Sequence, residues 1–499
     1  MGKIIKNSFW NILISYSGIL LGAINTLILF QYYTAEEEFG LTRLFVSLAS
    51  TAALVASGGF SSVIVRVYPR FSEKQRARSW FIKAFFGIPL LLCVLICLGF
   101  YALKGIIIAN YADDSPLFAL YAHWLPLLLF GSLSFSLFES YARVQHKVVL
   151  SSVLREIGTR LYTAIVIALY ALSYISFEAF MGLFCAQFAV LSIFLMWEIR
   201  KDLQLDLSES VTLKDENHNV FQQIWKEIHP FIWLNFASSS TIILIVNIDN
   251  LMLAQYVDLG QIGVYNFGMY VATLVVVPFR ILAKITFPLL AEHLSKNELP
   301  KVHEIYQKGS INMLWFGMLI FIGIWVNLPD MLSYVKPVYQ DVLNIFLFLS
   351  IGHIFSLMLG LSAGILLSSP YYYFDSITSA ILVGLLVLSN LWFIPTYGIE
   401  GAALATASSI GLYQVSRLIF VKLKYGVQPI GRGMLFIFAI SFIIVLANQF
   451  LPLHFAGWLN VLIRSFAVTV VYLGLNILFK TSPEINQIIQ KISQYKRAS

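Results

Sequence analysis

The sequence predicts an all-α polytopic membrane protein of about fourteen transmembrane helices, arranged as two six-helix lobes followed by two C-terminal helices. Three observations carry this. The 499 residues are 59% hydrophobic and only 12% charged, with a mean hydropathy of +0.79, against roughly a quarter charged in soluble domains. The apolar residues fall into successive runs, each long enough at about 1.5 Å rise per residue to span a hydrocarbon core of about 30 Å. Lys and Arg gather in alternate gaps between runs, as they do where cytoplasmic loops retain positive charge.

Helix two orients all the others. From Leu44 to Val65 no side chain is charged, and Arg66, Arg70, Lys74, Arg76, Arg78 and Lys83 then follow with Glu73 as the one acid among them. It is expected to run from outside to inside. Helix one covers about Ser8 to Tyr32 and leaves through the acidic outer turn Thr34 to Glu38. Its apolar part is too long for a signal-peptide core and lacks a small-residue cleavage site, so it is expected to stay as a membrane helix. Helix three, at about 80–103, leads to an outer loop with Lys104, Asp113 and Asp114. Helix four, at about 117–140, returns to the basic loop Arg143 to Arg155. Helices five (157–172) and six (177–197) form a tight outer hairpin through Ser173 to Ser176.

Glu198 to Glu227 is the longest polar segment and reads as a cytoplasmic linker. Further apolar runs follow at about 230–256, 262–288, 309–328, 341–367, 372–393, 400–421, 433–450 and 457–479. The expected organisation is an N-lobe at 1–198, a linker at 199–228, a C-lobe at 229–424, helices thirteen and fourteen at 425–480, and a cytoplasmic tail at 481–499. That tail opens with Thr481 and Glu484 as helix-start signals and carries Ile485, Ile488, Ile489 and Ile492 at helical spacing. It fits a short amphipathic helix on the inner leaflet, with a frayed polar tail as the alternative.

Apart from Arg43, Lys104 and Lys336 at or near the outside and Arg464 within helix fourteen, the 33 Lys and Arg fall at ends assigned inside. Both termini are therefore expected in the cytoplasm. The net charge of +7 forms no dense tract, so a lipid bilayer and not nucleic acid is the expected partner. Cys93, Cys97 and Cys185 lie in apolar runs and read as packing residues, and no metal or cofactor is expected.

Helices one and two can be laid over helices seven and eight by matching Gly40 with Gly263. Trp10 then meets Trp233, Tyr33 meets Tyr256, and the turn Glu36 to Gly40 meets Leu259 to Gly263. Two similar halves around a central site is a transporter-like plan, against chance likeness between apolar segments. Asp249-Asn250-Leu251-Met252-Leu253, leading to Ile262-Gly263-Val264-Tyr265, resembles a motif around the seventh and eighth helices of bacterial polysaccharide flippases. Pro395-Thr396-Tyr397-Gly398-Ile399-Glu400-Gly401 resembles their turn into helix twelve. The family is the Wzx-like oligosaccharide flippases of the multidrug/oligosaccharidyl-lipid/polysaccharide exporter superfamily. Physically, the second motif needs only architecture: Pro395 ends a helix, Gly398 permits a turn, and Gly401 with Ala405 gives a small face for close packing.

The resemblance implies a bacterial inner-membrane transporter, not an enzyme. It would move a polyprenyl-diphosphate-linked oligosaccharide, an O-antigen, capsule or exopolysaccharide unit, alongside a polysaccharide polymerase and export machinery. Charges held in a bilayer are costly and usually face a partner or a cavity. Arg43, Arg66, Arg280 and Lys284 are candidates to bind the phosphates of such a substrate, with snorkelling to head groups as the alternative for the last three. Arg464 is a further candidate, with mutual packing of helices thirteen and fourteen, or lipid binding by them, as its alternative. Asp249, late in helix seven between Asn247 and Asn250, is the candidate for coupling to Na+ or H+ or for gating, with an outer-end cap or a simple surface acid as its alternative. Glu139 and Asp375 are weaker candidates near inner helix ends, with plain salt-bridge partnership as the alternative. A drug or small-molecule antiporter of the same fold would favour a more acidic cavity. A membrane glycosyltransferase or polymerase would need acids or His on a sizeable outer loop, and Asp113-Asp114 lie on a short one.

Overall fold

The computed structural model describes residues 2–68, 75–111, 115–145, 147–200, 236, 240–241, 243–450, 458–482 and 484, without the side chains of 2–12, 62, 65–67, 75–81, 106–111 and 450. Every regular element among them is helical. Eleven helices are long and apolar enough to cross a membrane, and the protein is an all-helical multi-pass membrane protein.

The expected count of about fourteen is not reached among the described residues, and the shortfall has identifiable places. Val148–Val153, the π-turn Leu154–Gly158 and Thr159–Ala171 follow one another as short pieces where one helix was expected. Ile243–Leu253 is a shorter apolar helix, next to positions that lie outside the described residues. Tyr372–Tyr425 is a single run of 54 residues that doubles back at Gly398, where φ is 56° and ψ is −131°. Ser379 meets Tyr413 and Ser389 meets Ser409 across the two arms. Pro395 removes a backbone donor just before the bend, and Gly398 supplies a left-handed φ that side chains resist. Gly401 is needed for the close approach, because a Cβ there would lie 2.1 Å from the Phe393 carbonyl oxygen.

Helix two also differs from its expected bounds. It is not continuous from Leu44 to Val65: Glu36–Ser57 forms the crossing, Gly58 and Gly59 break it with φ of 50° and 80°, and Phe60–Val67 starts afresh. A glycine pair adopts such angles at little cost, so the apolar run does not secure one straight helix. At the other end the acidic turn is the helix's first turn, where carboxylates oppose the helix dipole and Glu38 accepts the Ala35 N–H at 2.8 Å.

The described residues form two compact units, Met1–Gly263 and Val264–Ser499. In the first, Gly131 lets the helix Leu125–Val144 approach Phe177–Ile199 until a Cβ would lie 2.6 Å from the Ala189 nitrogen. In the second, a polar seam joins Trp458–Leu478 to Leu299–Leu332. Asn460 and Arg464 donate to Asp330, Asn327 donates to Ser465, and Tyr472 donates to the Trp315 carbonyl. Between 296 and 298 the chain makes an exposed turn, where bonds from His293 and Lys301 hold the Glu298 carboxyl below its ordinary range. Most of the expected linker 199–228, Trp233, Asp113-Asp114 and nearly all of the tail lie outside the described residues.

Candidate functional site

Gly40 and Gly263, matched above as repeat equivalents, lie against each other within the first unit. A Cβ on Gly40 would sit 1.7 Å from the Leu259 carbonyl oxygen, and one on Gly263 would sit 2.6 Å from that of Glu36. The alignment that carries Gly40 onto Gly263 also carries Glu36 onto Leu259, so the contact is reciprocal, as at a two-fold axis. Asp258 caps the second helix by accepting the Gln261 N–H at 2.8 Å.

Further along Glu36–Ser57 lies one of the candidate residues, and a second lies on the helix tied to it. Arg43, two turns into Glu36–Ser57, places its guanidinium 5.1 Å from the Phe30 ring and 4.7 Å from Phe39, a cation–π setting that holds the charge within apolar surroundings. One turn on, Ser47 accepts from Asn250 at 2.9 Å, which ties the helix Ile243–Leu253 to it. Asp249 precedes that Asn and is 2% exposed, which does not fit a simple surface acid. Arg66 lies on Phe60–Val67, and its side chain is outside the described set.

The remaining candidates lie in the second unit. Arg280 and Lys284 sit one turn apart on Val277–Ser295 and are exposed, and the charge of Arg280 acts on His353 of Val342–Leu359. Arg464 donates to Asp330 Oδ2 at 2.7 Å and to the Val326 carbonyl at 2.8 Å. Those bonds give it a partner inside the seam, away from Arg280 and Lys284 in the sequence and on different helices.

Four ion pairs join residues that the sequence expectations do not match to each other, and two of the acids, Glu139 and Asp375, have the salt-bridge partners expected of acids near inner helix ends. Glu139 is buried and accepts from both Arg143, at 2.7 Å, and Arg155. Asp375 and Arg417 meet across the arms of the Tyr372–Tyr425 hairpin. Glu156 and Arg160 lie four residues apart, with Arg160 Nη1 2.6 Å from Glu156 Oε2. Both belong to or adjoin the π-turn Leu154–Gly158, and it faces helix one, which has its own π-turn at Ile24–Leu29. Asn25 in that turn donates to the Arg160 carbonyl at 2.8 Å. Gly18 leaves room for the pair, since a Cβ there would lie 2.8 Å from Arg160 Nη1. π-turns break the regular ladder and are common at functional sites. The available sequence signal is an acid four residues before an Arg at the start of an apolar run.

A family model described as polysaccharide biosynthesis protein matches residues 4–294. Among solved structures, the lipid II flippase MurJ in an inward closed conformation is similar with a TM-score of 0.72 and 15% identity, over 94% of this chain and 98% of that one. A multidrug resistance MATE family transporter of the MOP superfamily, in an inward-facing conformation, is similar with a TM-score of 0.64 and 13% identity, over 84% of this chain and 98% of that one. At these identities the likeness is one of fold. No curated protein matches the sequence.

Proposed function

Because the chain belongs to the polysaccharide biosynthesis protein family, we propose that it is a flippase for a polyprenyl-diphosphate-linked oligosaccharide. The sugar-bearing head would cross from the inner to the outer leaflet by alternating access while the prenyl tail stays in lipid. The observation that carries this reading is a fold like that of a lipid II flippase over 94% of the chain, in a protein whose membrane helices hold cationic side chains. Arg meets phosphate through two parallel hydrogen bonds, and Lys adds a compact charge, so such groups suit a diphosphate better than a cationic drug. The membrane would be the bacterial inner membrane, with both termini in the cytoplasm. The test is deletion of the gene: a lipid-linked sugar should accumulate on the cytoplasmic leaflet, and an unchanged leaflet distribution of all such lipids rejects the reading.

Arg280 and Lys284 are the cations proposed to receive the head group in the second unit. Replacing both with Ala should lower export at least tenfold while the protein still inserts; full complementation of the deletion strain by that variant would remove both from the path. Asp249, buried on the helix that Asn250 ties to Ser47, is the acid proposed to couple transport to Na+ or H+. Asp249→Asn should weaken the dependence of flipping on an ion gradient in reconstituted vesicles, and an unchanged dependence would reject that role. The MATE-like fold supports a second reading, an antiporter for small cations. Gradient-driven uptake of such a compound, without any effect on lipid-linked sugars, would favour it.

A further inference from the structure

The Glu156–Arg160 pair lies near the middle of the helical path Val148–Ala171, and not at the inner helix end where the basic pattern places Arg160. Counting helical rise from Val148 puts Arg160 about 18 Å along a path that continues to Ala171. Its neighbour Gly18 is halfway along the helical run that starts at Gly2 and ends at Tyr33. Ionised groups at such depth face a partner or a route for charge.

The partnership is incomplete. Among the described residues Arg160 donates only through Nη1, to the Glu156 carboxylate and to the Glu156 carbonyl, which leaves the edge formed by Nη2 and Nε unused. The side chains of Arg160 and Glu156 are 30% and 33% exposed, whereas Glu139 and Asp375 keep only 5% and 12%. The Glu156 carboxylate is thus the open one of the three, while Arg143 and Arg155 around the buried Glu139 are themselves 49% and 44% exposed. Asn25, fixed by its bond to the Arg160 carbonyl, also has a buried Oδ1 with no partner among the described residues. That oxygen can accept a hydroxyl donor.

We propose that Glu156 and Arg160 form an exchangeable ion pair midway across the membrane, in which a phosphate of the transported lipid displaces Glu156 from the guanidinium. A phosphate can take two parallel hydrogen bonds where Glu156 takes one, so the exchange is favourable while substrate is present. When the anion leaves, Glu156 returns and neutralises Arg160, and the empty carrier resets without a bare charge in the bilayer. The π-turns supply the slack for the carboxylate to swing aside. This rests on the flippase reading and identifies the group that meets the phosphate at mid-passage.

The experiment measures binding of undecaprenyl diphosphate to the purified full chain in detergent, and its flipping in vesicles of phosphatidylethanolamine and phosphatidylglycerol. Glu156→Gln, which keeps shape but removes the competing charge, should bind about tenfold tighter and turn over more slowly. Arg160→Ala should lose binding, and Arg160→Lys should recover part of it. Inorganic diphosphate should compete, which separates the phosphate contact from the prenyl chain. A folded Glu156→Gln protein with unchanged or weaker binding overturns the exchange while leaving the flippase reading intact. A wild-type protein that binds neither this lipid nor inorganic diphosphate also overturns the exchange, whereas the flippase reading stands or falls on the deletion strain.

Discussion

Gly40→Ala is expected to abolish transport, and the reason is contact between backbones. Its new Cβ would lie 1.7 Å from the Leu259 carbonyl oxygen, 2.7 Å from the carbonyl carbon and 3.0 Å from the Gly263 nitrogen. No flexible side chain stands there to yield, so the helix Glu36–Ser57 must move off the start of Leu259–Thr273 by more than an ångström. Overpacking of this kind typically costs about 1–3 kcal/mol, and here it also displaces Asn250 from Ser47 and shifts the setting of Asp249. Gly263→Ala should act in the same direction with a smaller effect, because its nearest backbone atom is 2.6 Å away. One separation of the helices relieves both clashes, so the double variant should cost less than the sum of the singles. Gly99→Ala is the control: its Cβ meets nothing within 4 Å, and Ala favours a helix over Gly by up to about 1 kcal/mol. Melting in detergent and flipping in vesicles are the two readouts. A Gly40→Ala protein that melts and transports like wild type would mean that the two helices do not cross here.

How far the sequence could lead is shown by the same residues. Matching Gly40 with Gly263 was possible from the order of helix, turn and helix, yet nothing in the chain says that matched positions touch; that needs the fold. The bend into the last arm of the Tyr372–Tyr425 hairpin was legible, because Pro395, Gly398 and Gly401 each have a backbone reason to be there. The break at Gly58 was not, since a glycine pair in an apolar run is compatible with a straight helix. Arg464 could be recognised as a costly charge, whereas its partner Asp330 lies at the end of another helix and follows from no local pattern. Arg160 does not stand out in the sequence for the opposite reason: it follows Arg143, Lys147 and Arg155 and reads as the continuation of a basic loop. Its depth emerges only when the short pieces from Val148 to Ala171 are laid beside helix one.

Removing one partner of the Asp375–Arg417 pair should be the most destabilising polar change in the second unit. Arg417 and Asp375 are 7% and 8% exposed, and the pair spans the two arms of the hairpin. The Arg417 guanidinium also lies 4.0 Å from the Tyr413 ring, and Tyr413 meets Ser379 of the facing arm at 2.6 Å. Phe374 and Phe420 stack with centroids 3.8 Å apart just beyond. Arg417→Met keeps most of the packing volume but strands a carboxylate, which typically costs about 3–5 kcal/mol for a buried pair. Replacing both, Asp375→Leu with Arg417→Met, removes the stranded charge and should restore most of that loss, since well-packed apolar substitutes for a buried pair are often neutral or better. Melting of the two singles and the double gives the coupling directly. Equal stability of wild type and Arg417→Met would show that the pair does not hold the hairpin. The double variant then separates architecture from transport: restored stability with restored flipping assigns the pair to holding the arms together, while restored stability without flipping would put these charges on the substrate's route beside Arg280 and Lys284.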